Sequence, residues 1–212
     1  MENTPVTTTA TPTRTAPTSQ WSRRAAWAAP PALAVVVLLH RNDPVSAMDL
    51  SGSTTTWIWI HVALLGALVL LAHAVSTLLA GLEGAAARVA RALLPVALVT
   101  YAAFDALVGL GTGILVEHAE TLGPDADQLV EYWWSVPAPI STIATAAQLL
   151  WVTVLGATAI ARVTHDAPRF LVPTIAALAA TFPFLHVRPI GLVPVALLAT
   201  TLWLDSRTDG PR

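Results

Sequence analysis

The chain has 212 residues, 55% of them apolar and 11% charged, where a soluble domain of this size would be about a quarter charged. It has no cysteine, which excludes disulfides, thiolate nucleophiles and Cys-based metal sites, and its net charge of −2 gives no basis for binding nucleic acid. The apolar residues are gathered into runs, and a run of roughly 20 is what a single hydrocarbon crossing requires, so the expected principal partner is the lipid bilayer.

Residues 1–20 form a separate region of mostly Thr, Pro and Ala with almost nothing to bury, and read as a disordered tail. Six apolar runs then follow in a transmembrane domain over 21–205: about 21–40, 57–80, 92–116, 136–161, 170–185 and 189–204. The last two are near 16 residues, about 24 Å at 1.5 Å per residue, so they read as short crossings in a locally thinned bilayer or as a re-entrant pair. The first run opens with Ser22-Arg23-Arg24, continues as apolar Ala25–Leu39 and is followed by Val45-Ser46-Ala47, which is also the layout of a signal peptide. His40, Arg41 and Asp43 crowd the would-be cleavage region, which favours a retained anchor.

The loops give the orientation. All 11 basic residues are arginine, and nine of them (Arg14, Arg23, Arg24, Arg88, Arg91, Arg162, Arg169, Arg207 and Arg212) fall on one side of the six-fold alternation, against Arg41 and Arg188 on the other. Short cytoplasmic loops carry the excess of Lys and Arg. The pattern therefore predicts an all-α, six-helix transmembrane bundle in the plasma membrane, with the 1–20 tail and the 206–212 tail both cytoplasmic. The wholly acidic 117–135 loop, with Glu117, Glu120, Asp125, Asp127 and Glu131, falls outside. Trp21, Trp57, Trp59, Trp133, Trp134 and Trp203 lie near run ends, where indole rings favour the interface. No internal repeat divides the six runs into matching halves, so the inverted-repeat signature of many transporters is missing.

Asp105 is the polar residue that most needs explaining, because an Asp near the middle of a crossing costs roughly 2.5–3.5 kcal/mol on insertion scales. Ala97, Tyr101, Asp105, Gly109 and Gly113 step by four along one helical face. Gly109 and Gly113 give a GxxxG spacing that lets a second helix approach closely, so Asp105 is expected to point into the bundle. Gln148 in the fourth run and His73 in the second lie at comparable depth, which predicts an intramembrane network of His73, Tyr101, Asp105 and Gln148. Two readings of that network stand side by side: a proton or cation relay, and a neutral Asp that fastens helices by hydrogen bonds to Tyr101 or Gln148.

Four of the six histidines, His40, His61, His118 and His186, map to the outer side. Imidazoles with Glu117 and Glu120 nearby are weak candidates for a divalent-metal site, or for a haem iron if two sit at equal depth on different helices. The spacing names neither, since HExxH and an i, i+4 His pair are absent, and histidines at span ends are also ordinary interfacial residues. His165 falls in a cytoplasmic turn.

No enzyme motif is present. There is no P-loop, no G-x-S-x-G and no EF-hand spacing, and without lysine a Ser/Lys dyad cannot exist. The leading expectation is a non-enzymatic accessory or assembly component without a cofactor, with a homo-oligomer or a larger membrane complex as its protein context. The second is a small proton- or cation-coupled carrier using Asp105 and His73. The third is a haem- or metal-binding membrane protein using the outer histidines.

Overall fold

The structure, a computed structural model, describes residues 20–40, 53–118, 121, 123–135, 139–165, 168, 170–185 and 187–207. Most of the Thr/Pro-rich tail, most of the 41–56 loop, His186 and the chain beyond 207 lie outside the described residues. Within them the chain is helical, with no strand. Helix α1 is Gln20–Ala26, α2 Ala29–Leu39, α3 Thr54–Leu78 and α4 Ala85–Asp105. A π-helical turn at Ala106–Leu110 leads without a break into α5, Gly111–Glu117. Then come α6 Ala126–Trp134, α7 Pro139–Val163, α8 Leu171–Thr181 and α9 Leu192–Ser206, with 3₁₀ turns at Gly123–Asp125 and Phe182–Phe184.

Among the described residues three helices are long and apolar enough to cross a membrane: Thr54–Leu78, Ala85–Glu117 and Ile140–Val163. The two C-terminal helices are shorter, in keeping with the short apolar runs that encode them. Contacts between helices run α2 to α3, α3 to α4, α4 to α7, α7 to α8, α8 to α9 and α9 back to α2, which closes the elements into a ring around one apolar core. At its centre Trp151 stacks on Phe182 with ring centroids 5.2 Å apart, and Tyr101 meets Phe182 edge-on at 6.0 Å.

Apolar helices must satisfy their own polar groups. Thr158 and Thr201, both buried, return their hydroxyls to the carbonyls of Val154 and Leu197 at 2.8 Å, as side chains in a water-free interior must.

Three elements differ from the apolar runs that predict them. The first run is split after Ala26, because Pro30 and Pro31 have no N–H to give the carbonyls of Ala26 and Trp27; both prolines fit the first turn of α2, where those donors are not needed. Helix α4, which carries the third run, starts at Ala85, well before the apolar run at 92, since Ala-rich sequence around Arg88 and Arg91 is a strong helix former whatever its charge. The 117–135 loop holds α6, whose Val130 is buried with Trp57 and Val116 while Glu131 and Tyr132 stay exposed.

The turn between α3 and α4 is pinned by arginine. Gly81 and Gly84 take φ of 72° and 99°, left-handed values that let the chain reverse in a few residues. The Arg91 guanidinium donates to the carbonyl of Leu79 at 3.0 Å and also to that of Leu82. Arg162 reaches over from α7 to donate Nε and a terminal nitrogen to Leu78 O at 3.0 and 2.6 Å, and pairs with Asp205 of α9 at 2.8 Å. Two cations thus occupy the C-terminal end of α3, where the last carbonyls need donors and the helix dipole is negative.

Candidate functional site

Three ionisable side chains from three helices meet inside the protein. His40 follows α2 and caps it, with backbone turned extended (φ −63°, ψ 129°). His61 lies two turns into α3, and Asp105 is the last residue of α4 before the π turn. Each is 3% exposed. His40 Nε2 is 3.3 Å from His61 Nε2, and His61 Nε2 is 3.9 Å from Asp105 Oδ1.

Local sequence fixes this arrangement. His61 Nδ1 lies 2.8 Å from the carbonyl oxygen of Trp57, four residues earlier on the same helix. A carbonyl only accepts, so Nδ1 carries a hydrogen and, in the neutral ring, Nε2 presents its lone pair to His40 and Asp105. Trp57 forms one wall of the site: its ring centroid is 4.4 Å from that of His61 and 5.3 Å from that of His40. Its indole Nε1 donates to Gly109 O at 2.6 Å, tying α3 to the π turn. That turn follows Asp105 directly, and π turns inside α-helices recur at functional sites.

The two glycines of the GxxxG pair make the close approach. A Cβ on Gly109 would overlap the imidazole of His61, and one on Gly113 would stand 2.6 Å from Ile58 Cγ1 and 3.2 Å from Trp57 Cδ1. Only hydrogen at both positions lets α5 and the π turn lie against Trp57, Ile58 and His61.

Asp105 is poorly matched by hydrogen bonds. Its Oδ2 is buried and has no hydrogen-bond partner among the described residues, while its nearest ionic neighbour is the His61 ring at 3.9 Å. No bond joins it to Tyr101, which shares its face and packs edge-on against Phe104 at 5.7 Å, or to half-buried Gln148 on α7. His73 is separate. It lies three turns, about 18 Å, further along α3 than His61, where its Nε2 is 2.9 Å from Ser22 O and 3.3 Å from Ser22 Oγ of α1. It borders a groove of about 360 Å³ with Ser76, Arg91 and Leu98. The network expected from the sequence is therefore not assembled: Asp105 meets His61, and His73 meets Ser22.

Of the outer histidines, His40 and His61 converge. His118 is exposed and donates from Nδ1 to Ile114 O at 2.9 Å. His186 is outside the described residues. His165 sits in its turn with Nδ1 on Ala161 O at 2.9 Å, and its Nε2 accepts the N–H of Glu83 at 3.3 Å. Among the described residues no group of three or more His, Cys, Asp or Glu side chains is arranged to hold a metal ion. Haem does not fit between His40 and His61 as they stand. Ligands on opposite faces of a porphyrin need nitrogens about 4 Å apart at bond lengths near 2.0 Å, with a flat slot between them, and here the two rings are in contact at 5.0 Å between centroids.

Sequence reasoning missed the pairing of His61 with Asp105. The available signal was Trp57 and His61 at i, i+4 on one helix facing a GxxxG pair on the next, which sets a close antiparallel register. The fold and the site together define an all-helical protein with membrane-length helices and a buried His–His–Asp cluster. Comparison with protein-family models, with curated proteins and with solved structures finds no match for the chain.

Proposed function

We propose that the chain is a six-span plasma-membrane protein with both termini cytoplasmic, and that it is a small cation-coupled carrier whose coupling site is His40, His61 and Asp105. The arginine asymmetry supports the orientation. In that orientation α2 ends and α3 begins on the outer side, so the cluster lies in the outer half of the bundle. His61 takes the place that the sequence reading gave to His73.

The carrying observation is the buried Asp105 carboxyl group, with one oxygen unbonded among the described residues and the His61 ring as its nearest ionic neighbour. A helix-fastening Asp would return its insertion cost through hydrogen bonds, each worth about 0.6 kcal/mol on average in a membrane interior. Asp105 makes none to Tyr101 or Gln148, so fastening does not account for it. Two imidazoles and a carboxyl group from three helices stand together in the interior, and intramembrane ionisable residues mark ion pathways by default. An accessory role needs no such cluster, which favours the carrier reading over it.

The test is stabilisation by ligand. A cation that binds only the folded protein raises its unfolding temperature in proportion to RT ln(1 + [L]/Kd). In detergent-purified protein screened against alkali, alkaline-earth and transition-metal cations, at least one should raise the unfolding temperature of the wild type and leave Asp105→Asn unmoved. Equal shifts in both proteins, or none with any cation, would contradict the reading.

A further inference from the structure

We infer that the groove between α3 and α4 binds an anionic phospholipid, with the phosphate held at Arg91 and an acyl chain lying toward the bilayer centre. This rests on the reading that α3 and α4 cross the membrane, and the cation site plays no part in it. The two helices are joined by the short turn that holds Gly81 and Gly84, so the walls of the groove run in opposite directions. Ser76 and Arg91 mark its end at the turn, and Val69 and Leu98 its far end. Each wall is about 10 Å long between those ends, at about 1.5 Å per residue.

The groove is graded in polarity along that length. His73, Ser76 and Arg91 fall toward the turn, while Val69, Pro95 and Leu98 line the rest. Val69 and Pro95 are exposed, so the groove opens outward, and among the described residues no carboxylate lines it. A volume of about 360 Å³ is that of a small-ligand cleft. A polar, cationic end at the membrane surface and an apolar end at depth match a lipid headgroup and its chain. A free phosphate uses only the polar end, so the apolar length selects the lipid.

Arg91 is placed to hold the headgroup. Its bonds to Leu79 O and Leu82 O both come from Nη2, which occupies the two hydrogens of that nitrogen. A guanidinium has five N–H donors, so those on Nε and Nη1 remain for phosphate oxygens. Its unit charge outweighs the roughly half unit of negative charge at the C-terminal end of α3.

Further positive charge gathers at the same end. His73 Nε2 lies 2.9 Å from Ser22 O, which docks α1 beside the groove and brings Arg23 and exposed Arg24 with it. Exposed Arg88 stands one turn before Arg91 on α4. Basic pockets between membrane helices on the cytoplasmic side bind anionic headgroups, and the cytoplasmic leaflet carries the anionic lipids. In the proposed orientation this end of the groove faces that leaflet.

The full chain, purified in detergent, is tested in mixed micelles with dioleoyl phosphatidylglycerol or with dioleoyl phosphatidylcholine, and separately with inorganic phosphate and no lipid. Native mass spectrometry counts bound lipid, and the rise in unfolding temperature reads its affinity. The wild type should retain one phosphatidylglycerol in preference to phosphatidylcholine and be stabilised by it saturably. Arg91→Gln should weaken that affinity about fivefold or more, the equivalent of about 1 kcal/mol for one basic residue at an anionic surface. Arg91→Lys, which keeps the charge, should recover part of the loss. Val69→Trp fills the apolar end, leaves Arg91 and the turn in place, and should weaken binding by a similar factor; it decides if Arg91→Gln does not fold. Arg207→Gln, outside the groove, should change nothing. Equal affinity for the two lipids, wild-type binding by Arg91→Gln and Val69→Trp, or the same Arg91-dependent stabilisation from inorganic phosphate alone overturns the proposal. Release of the chain from cell membranes by alkaline carbonate would overturn the crossing as well. Lipid indifference in a chain that resists extraction overturns the lipid site alone.

Discussion

Gly109 and Gly156 are both helical glycines, yet the structure assigns them opposite sensitivities. Nothing lies within 4 Å of a Cβ built on Gly156, whereas one on Gly109 would overlap the His61 ring. Gly156→Ala should therefore stabilise the protein by about 0.5–1 kcal/mol through helix propensity alone. Gly109→Ala should destabilise it by about 1–3 kcal/mol as an overpacked contact and weaken cation binding by displacing His61. Thermal unfolding of the two variants checks both signs. Trp57→Phe removes the indole donor to Gly109 O while keeping an aromatic wall, and should cost about 1 kcal/mol, near the upper part of the range for membrane-interior hydrogen bonds. The stripe of Tyr101, Asp105, Gly109 and Gly113 was readable in the sequence because helical spacing is a property of one chain segment. Which residue of another helix faces Asp105 is not, since that depends on the register between α3 and α4. His73 and His61 are chemically equal candidates until the glycine contacts fix the sliding.

At the scale of elements, the arginines that carry the topology signal also hold helix ends. Arg162 donates twice to Leu78 O and pairs with Asp205, so α3, α7 and α9 share one cation. Arg162→Gln should destabilise the protein by about 1.5–3 kcal/mol, the range for hydrogen bonds made by a charged group. Arg162→Lys should recover only part of this, because an ammonium cannot present two donors in the fixed fork of a guanidinium; chemical denaturation of both variants tests the order. Helix existence was well marked in the sequence for the long apolar runs. Helix ends were not, because a hydropathy reading stops at Arg88 and Arg91 while the backbone continues as helix. The 117–135 loop was likewise read by its charge, and its buried Val130 is a single apolar residue that forms no recognisable pattern alone.

For the whole molecule, the orientation proposed from the arginines makes a prediction that the cysteine-free chain suits well. A Cys introduced at position 125 should react with an impermeant thiol reagent in intact cells, and one at position 88 should react only after permeabilisation. The reverse pattern would invert the bundle and move the His40–His61–Asp105 cluster to the cytoplasmic half, away from the side assigned to it. The central claim, however, is that this cluster couples cation movement across the membrane, and charge displacement by reconstituted protein reads it most directly. Proteoliposomes adsorbed on a solid-supported membrane should give a transient current on a jump in the cation that stabilises the purified protein. Asp105→Asn, incorporated equally and with unchanged helicity, should give none. A current of the same size and time course from Asp105→Asn would contradict the account.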